Sequence, residues 1–376
     1  METQLKVVIA IDSMKGSLTS SEANQIVATV FKAAGYEVEQ VAIADGGEGT
    51  VEAYLTNQEG EWIEVETLDP LGEICKSFYG WYPEKKEAVI EVAASSGLGL
   101  IQNRKHNHPS QTSSFGTGQL ILSAMDKGAK SIVIGLGGSG TIDGGIGILK
   151  ALGVEFFDEN GLELAGIGND LAKIKRIDRN KMDQRLKTIE ITVASDVSNP
   201  LTGSEGAVAI FGEQKGLRSS ELESYDQAMA NFLKIATGNS ISSLGDGAAG
   251  GMGFALRHFL NAKVIPGFTL IAAENELAAK IKIADLVITG EGQIDQQSLY
   301  GKVPVAIAKL AKKNNIPVIA FVGSIKGDMT EAYQAGISEI IPIVQSVSTL
   351  ENALKNASKN LEKSAKQTVK LLHLFN

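Results

Sequence analysis

Cysteine is nearly absent from this chain. Cys75 stands alone, which excludes a disulfide framework and a thiolate metal site and leaves a half-buried structural thiol as the expected role. Histidine is scarce as well. None of the four (His106, His108, His258 and His373) forms an HExxH-type pair, and His106 and His108, flanking Asn107 before Pro109, read as a solvated loop. Positive charge is outweighed. The net charge of −9 leaves no broad basic stripe for nucleic acid, so any anionic ligand must be held by a few local Lys or Arg residues, backbone N–H groups or a metal. Long apolar runs are missing too. Residues 7–11 stop at Asp12, far short of a membrane span, and residues 1–6 are too short and polar to start a signal peptide. A cytoplasmic protein without membrane contact is expected. Two nucleotide signatures are also lacking: there is no GxxxxGK[ST] P-loop, and no HRD or DFG set of the protein-kinase fold.

What the chain does have is glycine, 41 of 376 residues, in a composition 43% hydrophobic and 21% charged. That is the balance of a folded protein too long for one ordinary core. Short Val- and Ile-rich runs alternate with helical patterns, the mark of an α/β fold. Residues 5–11, 38–44, 285–289, 316–322 and 339–344 read as strands. Residues 20–34, 303–314 and a long stretch from about Thr349 read as helices. These strands are nearly all apolar, as expected where helices cover both faces of a parallel sheet. The middle differs: 76–82 and 88–92 form an antiparallel hairpin around the polar turn 83–87, with further strands at 131–136 and 189–194. The expected fold is α/β with two domains. A parallel-sheet domain, 1–65 plus 265–376, is interrupted by an inserted mixed α/β domain, 66–264.

Four apolar runs lead straight into a carboxylate flanked by small residues: Asp12, Asp45, Asp196 and Glu291, the last with Asp295 close behind. Glu48 joins them through the run Asp45-Gly46-Gly47-Glu48-Gly49-Thr50. Ligands of open α/β sheets bind outside the carboxyl ends of the strands. Magnesium prefers a few carboxylates plus phosphate oxygens and waters. The plainer reading of each acid is a strand end or helix cap. Glycine supplies a second pattern, in Gly137-Gly138-Ser139-Gly140-Thr141 and in the run 245–253 with Gly247, Gly250 and Gly251. Such loops let N–H groups close around phosphate or carboxylate. Residues 111–118 open a helix with hydroxyls that either cradle an anion or cap the helix. Lys15, followed by Gly16 and Ser17, and Lys302 are the cations placed to meet phosphate or carboxylate; the alternative for both is a solvated surface side chain.

Gly135, Gly137 and Gly140 also fit GxGxxG after a strand, with Asp158 near the ribose-binding distance. That pattern points to an NAD-dependent oxidoreductase, but its helix would have to contain Gly144, Gly145 and Gly147, each costing up to ~1 kcal/mol against Ala. A non-catalytic sensor of sugar acids is the other alternative.

Taken together, the segments Asp12-Ser13-Met14-Lys15-Gly16-Ser17-Leu18, 44–50, 135–145, 196–201, 247–253 and 289–304 resemble the type 1 glycerate kinase family, in the family's order and over nearly the whole chain. The resemblance implies ATP-dependent phosphorylation of D-glycerate, with 2-phosphoglycerate favoured over 3-phosphoglycerate. It also implies a Rossmann-like domain interrupted by a second domain, with the active site in the cleft between them. ATP and Mg2+ are the expected cofactors and glycerate the small-molecule partner; a homo-oligomer is left open. In this reading Asp196 acts at the acceptor hydroxyl, with Asp295 and Lys15 also catalytic. Ser13, Gly16, Ser17, Gly137, Gly138, Ser139, Thr141, Gly247, Gly250, Gly251 and Lys302 bind phosphate or substrate, and Asp45, Glu48 and Glu291 bind the metal. Three residues depart from the family pattern: Met14 stands where an aromatic is usual, Ile142 replaces a polar residue, and Gln293 replaces a common Arg.

Overall fold

The structure, a computed structural model, describes residues 4–57, 59–101, 103, 107–296, 298 and 302–374. His106 and Gly301 lie outside the described residues. The chain divides into two compact units. The first comprises Met1–Asp45, Glu52–Gln58 and Phe268–Asn376, and the second Gly46–Val51 and Glu59–Gly267. The divisions at 58/59 and 267/268 differ from the expected 65/66 and 264/265.

Strands are numbered in chain order. The first unit holds a wholly parallel sheet in the order β13-β12-β11-β1-β2. These strands are β1 (Lys6–Ile11), β2 (Glu37–Gln40), β11 (Leu286–Ile294), β12 (Val318–Ile325) and β13 (Glu339–Pro342). Val7 to Ile11 are all buried, which is why β1 reads as an unbroken apolar run. The helix Ser20–Ala33 covers it. Thr19 caps its start in a reciprocal capping box with Glu22, and Lys32 lies in the last turn, where a cation complements the helix dipole. Its Ala23, Val27 and Phe31 share one core with Ile9, Ile288 and Phe321 and with Leu361 and Ala365 of the helix Ala357–Leu372. Each such Val, Ile or Phe contributes about 1.5–3 kcal/mol by burial.

The expected strand 38–44 stops at Gln40, because helix side chains take over from the ladder. Asn24 accepts from Ile11 N at 2.9 Å and donates to Val41 O at 2.9 Å. Ser20 Oγ donates to Ile11 O at 2.6 Å and accepts from Ile43 N at 3.1 Å. Both side chains are buried. They fix the segments that lead into Asp12 and Asp45. The expected long C-terminal helix is two, Leu350–Lys355 and Ala357–Leu372, divided at Asn356.

The second unit carries a mixed sheet in the order β10-β9-β6-β5-β4-β3. Its strands are β3 (Glu61–Leu68), β4 (Ile74–Tyr82), β5 (Glu87–Glu91), β6 (Ser131–Gly135), β9 (Glu190–Ala194) and β10 (Lys263–Ile265). The β3–β4 and β4–β5 pairs are antiparallel and the others parallel. A separate antiparallel pair joins β7 (Glu155–Phe157) to β8 (Arg176–Asp178). The helix Phe115–Asp126 brings Leu120 and Ile121 onto Ile90, Ile132 and Ile134, and Phe232 of the helix Leu222–Thr237 closes the same core. Glu61, Glu64 and Glu66 are exposed on the edge strand β3, where charge discourages pairing with another chain.

Candidate functional site

The first unit contains a pocket of about 720 Å3 at the carboxyl end of its parallel sheet, lined by Asp12, Asp45, Glu291, Asp295, Lys15 and Lys302 among others. Asp12 follows β1 directly: its N–H donates to Gly290 O at 2.9 Å, and its own Oδ1 accepts from Ser13 N at 2.7 Å. Burial, and then the neighbouring Asp45 charge, hold its carboxyl well above the usual range. Asp45 lies beyond β2, at the end of the segment held by Ser20 and Asn24. Glu291 does not follow a strand, as expected from sequence, but sits inside β11. β12 keeps pairing as far as Ile294, whereas the last β1 pair is Ile11 with Gly290. Glu291 is thus one residue past the point where β1 stops, and it reaches the pocket from within the strand. Burial pushes its carboxyl up to about 7, against a hydrogen bond from Ser298 and the Lys302 charge. Its Oε1 is buried and has no hydrogen-bond partner among the described residues.

Asp295 comes just after β11 and accepts from Ser298 N at 3.1 Å. Gln293 donates to the same carboxylate at 3.3 Å, so the residue that replaces the family's arginine is turned toward Asp295. Lys15 is exposed on the turn 14–18, where Met14 and Leu18 exchange backbone hydrogen bonds and Gly16 takes the left-handed conformation (φ 79°). Ser13 and Ser17 line the pocket too. Met14 is buried in the core beside Ile11, so an apolar side chain suits the place. Lys302 precedes the helix Val303–Lys312, whose second residue is Pro304. The lining also includes apolar residues: Ile343, Val344, Leu350, Ala353 and Leu354. Nothing in the periodicity of 339–354 marked these residues as a binding surface.

Glu48 does not join this group. It is exposed on the turn 46–49, which belongs to the second unit and does not line the pocket. The glycines of that turn explain the division: a Cβ on Gly46 would lie 2.7 Å from Ala194 O, and one on Gly137 would lie 2.3 Å from Gly47 Cα. Among the described residues no group of three or more His, Cys, Asp or Glu side chains could hold a metal ion.

In the second unit the two glycine loops meet each other. Gly144 N donates to Gly250 O at 3.0 Å, and Cβ atoms on Gly247, Gly250 and Gly251 would collide with Pro200 O, Thr141 O and Gly144 Cα. All three glycines are buried; Gly250 and Gly251 serve the packing of the loop 137–145, and Gly247 packs against Pro200. That loop is also tied at Gly138 O to Leu98 N and at Gly140 N to Ser96 O. Asp143 knits it from inside, accepting from Ser114 N, Ser114 Oγ, Gly145 N and Gly147 N. Ile142 is fully buried, so the polar residue of the family pattern is replaced by one that fits a core. The hydroxyls of 111–118 are engaged within the protein. Ser114 serves Asp143, Ser113 donates to Gly166 O, and Thr117 bonds Ser95 and Ser96.

No helix follows Gly140. It begins only at Ile146, after left-handed Gly144 and Gly145, and Asp158 caps its own turn at Asn160 and Leu162. The dinucleotide pattern therefore lacks its helix. Asp196 lies two residues beyond β9, is exposed, and its Oδ1 accepts from Gly267 N at 3.1 Å. Sequence reasoning missed Lys215, which donates to Ser139 Oγ at 2.7 Å and to Thr141 O at 3.0 Å from a buried position. Its one signal is its place in Gly212-Glu213-Gln214-Lys215-Gly216, a lysine between two glycines.

The chain is also similar to known proteins. A sequence model described as the glycerate kinase family matches residues 7–373. A glycerate 2-kinase of Escherichia coli K12 is 41% identical over 93% of both chains. A glycerate kinase of Haemophilus influenzae is 41% identical over 98% of this chain and 99% of the relative. A crystal structure of a protein assigned as glycerate kinase 2 from Salmonella typhimurium LT2 superposes with a TM-score of 0.85 at 39% identity, covering 99% of each chain.

Proposed function

The chain belongs to the glycerate kinase family, and we propose that it transfers the γ-phosphoryl group of ATP to the 2-hydroxyl of D-glycerate, with magnesium, in the cytoplasm. The observation that carries this reading is the pocket of the first unit, whose lining combines apolar and charged residues. Its Ile343, Val344, Leu350 and Leu354 suit a purine, and the same pocket brings Lys15 and Lys302 together with the acids. Phosphoryl transfer is mostly positioning and charge neutralisation, which such a lining provides.

The donor set fits magnesium. The ion takes one or two carboxylates plus phosphate oxygens and waters rather than a closed protein cage. The buried, unpartnered Glu291 Oε1 is a ligand atom in want of a cation. Asp45 and Glu291 would hold the ion, which when bound neutralises phosphate charge. Lys15 and Lys302 would bind the phosphates as point charges. Asp196, held by Gly267 N, accepts the proton that the acceptor hydroxyl releases. The 2-position follows the name of the E. coli relative, glycerate 2-kinase.

The test is ADP release by purified protein with ATP, Mg2+ and D-glycerate, followed by NMR of the product. The reading expects magnesium-dependent release and a 2-phosphoglycerate spectrum. Release with glycerate but a 3-phosphoglycerate spectrum overturns the regiochemistry. Turnover that needs NAD(H) and no ATP overturns the whole.

A further inference from the structure

Lys215 ends the short turn Glu213–Lys215 and is only 6% exposed. An ammonium has three N–H donors. Two of them bond the glycine loop, at Ser139 Oγ and Thr141 O. Among the described residues Lys215 forms no ion pair; the Asp143 carboxylate acts on it only through its field. That carboxylate is itself spent on Ser114, Gly145 and Gly147. A buried cation without a counter-ion is costly. Burial pulls the Lys215 amine down to about 7, with Asp143 opposing. The other charged groups near this turn are engaged elsewhere. Glu213 accepts from Ser219 Oγ, and beyond Pro109 His108 and Arg218 both bond Glu221.

We infer that Lys215 is the cation of an anion seat made with the loop 137–141, and that the anion is the carboxylate of the hydroxy-acid acceptor. The inference rests on the glycerate kinase reading and deepens it. One ammonium beside the Ser139 hydroxyl matches a monoanion, whereas a polyphosphate finds two lysines in the pocket of the first unit. The loop is held in shape before any ligand arrives. Gly138 is left-handed (φ 74°) and its O accepts from Leu98 N, while Gly140 N donates to Ser96 O. A carboxylate arriving there supplies the missing counter-ion, so Lys215 binds a proton as the acid binds.

The experiment is calorimetric titration of the full-length protein with D-glycerate at pH 8, with and without a non-hydrolysable ATP analogue, in buffers of different ionisation enthalpy. The wild type is expected to take up close to one proton per glycerate. Lys215→Met is expected to abolish that uptake, weaken glycerate at least tenfold and leave the KM for ATP unchanged. Lys215→Arg, which keeps a charge, recovers part of the affinity without the proton uptake. If Lys215→Met fails to fold, the wild-type proton count decides alone, and glycerate binding without uptake overturns the inference. ADP release with neither proton uptake nor dependence on Lys215 sinks the inference and leaves the kinase reading. Binding with uptake but no turnover on ATP does the reverse.

Discussion

In the first unit, Asp12 and Glu291 are buried beside Asp45, and burial with mutual repulsion holds both toward their protonated forms. In the second unit a single lysine, Lys215, is buried beside glycines and held toward its neutral form. The physical cause is the same, loss of water around a charge, and the sign is opposite. Each region is more stable discharged. In the proposed reading each acquires its charge when a ligand of the other sign arrives, a cation for the acids and an anion for the lysine, so that burial unfavourable in the free protein would become affinity in the complex.

The comparison breaks most sharply at Asp196, the acid that is exposed rather than buried. Asp196→Asn keeps an oxygen for Gly267 N, so thermal stability should not move, while kcat falls ~10²–10⁴-fold if the carboxylate takes the acceptor's proton. Near-normal kcat in the folded variant removes Asp196 from the site.

Glu291→Gln tests the buried acids. Burial pushes the Glu291 carboxyl up to about 7 in the folded protein, from an ordinary value of 4.5. The folded state thus binds the extra proton, and stability is lost as pH rises from 4.5 through 7. Gln cannot ionise, so the variant should gain on the wild type by on the order of 3 kcal/mol between pH 4.5 and pH 8, while magnesium-dependent turnover drops. Parallel pH–stability curves in denaturant melts would refute the burial argument.

Lys15→Ala probes the exposed cation. The loss in kcat/KM for ATP should be at least tenfold, as for a charge-assisted bond of ~1.5–3 kcal/mol, with the melting temperature unchanged. Unaltered steady-state kinetics would return Lys15 to the solvated surface.

Gly250→Ala addresses the scaffold of the second unit. A Cβ there would lie 2.1 Å from Thr141 O on a residue with φ 68°, and such overpacking costs about 1–3 kcal/mol. The variant should melt earlier and weaken glycerate more than ATP. Equal losses for both substrates would mean that the loop 137–145 does not serve the acceptor.

Much of the fold was legible because nearly all-apolar runs mark buried parallel strands, and β1, β11 and β12 lie where those runs are. The short β2 was not, since Ser20 and Asn24 replace its ladder and side-chain bonds leave no periodic trace. Glu291 looked like a strand end because Gly290 and Gly292 flank it, yet pairing with β12 carries the strand past both. At the site, Asp12, Asp45, Glu291 and Asp295 line one pocket, Glu291 from inside its strand. Glu48 shares the motif of Asp45 but is exposed and belongs to the second unit. Gly250 and Gly251 read as ligand loops, whereas their lack of a side chain is used for close packing. Lys215 was invisible: burial of a lone lysine is decided by tertiary contacts, with no pattern of neighbours to announce it.

The clip formed by Ser20 and Asn24 also bears on the order of folding. Its hydrogen bonds join residues 9, 13, 17 and 23 apart in sequence, whereas β1 meets β11 across 279 residues, as between Ala10 and Thr289. Closing the longer loop costs about 2.5 kcal/mol more in chain entropy than closing one of 17. The first 45 residues can therefore set Asp12 and Asp45 in register while the rest of the chain is still being made. Glu291 arrives last, and its repulsion of Asp12 begins only when β11 docks.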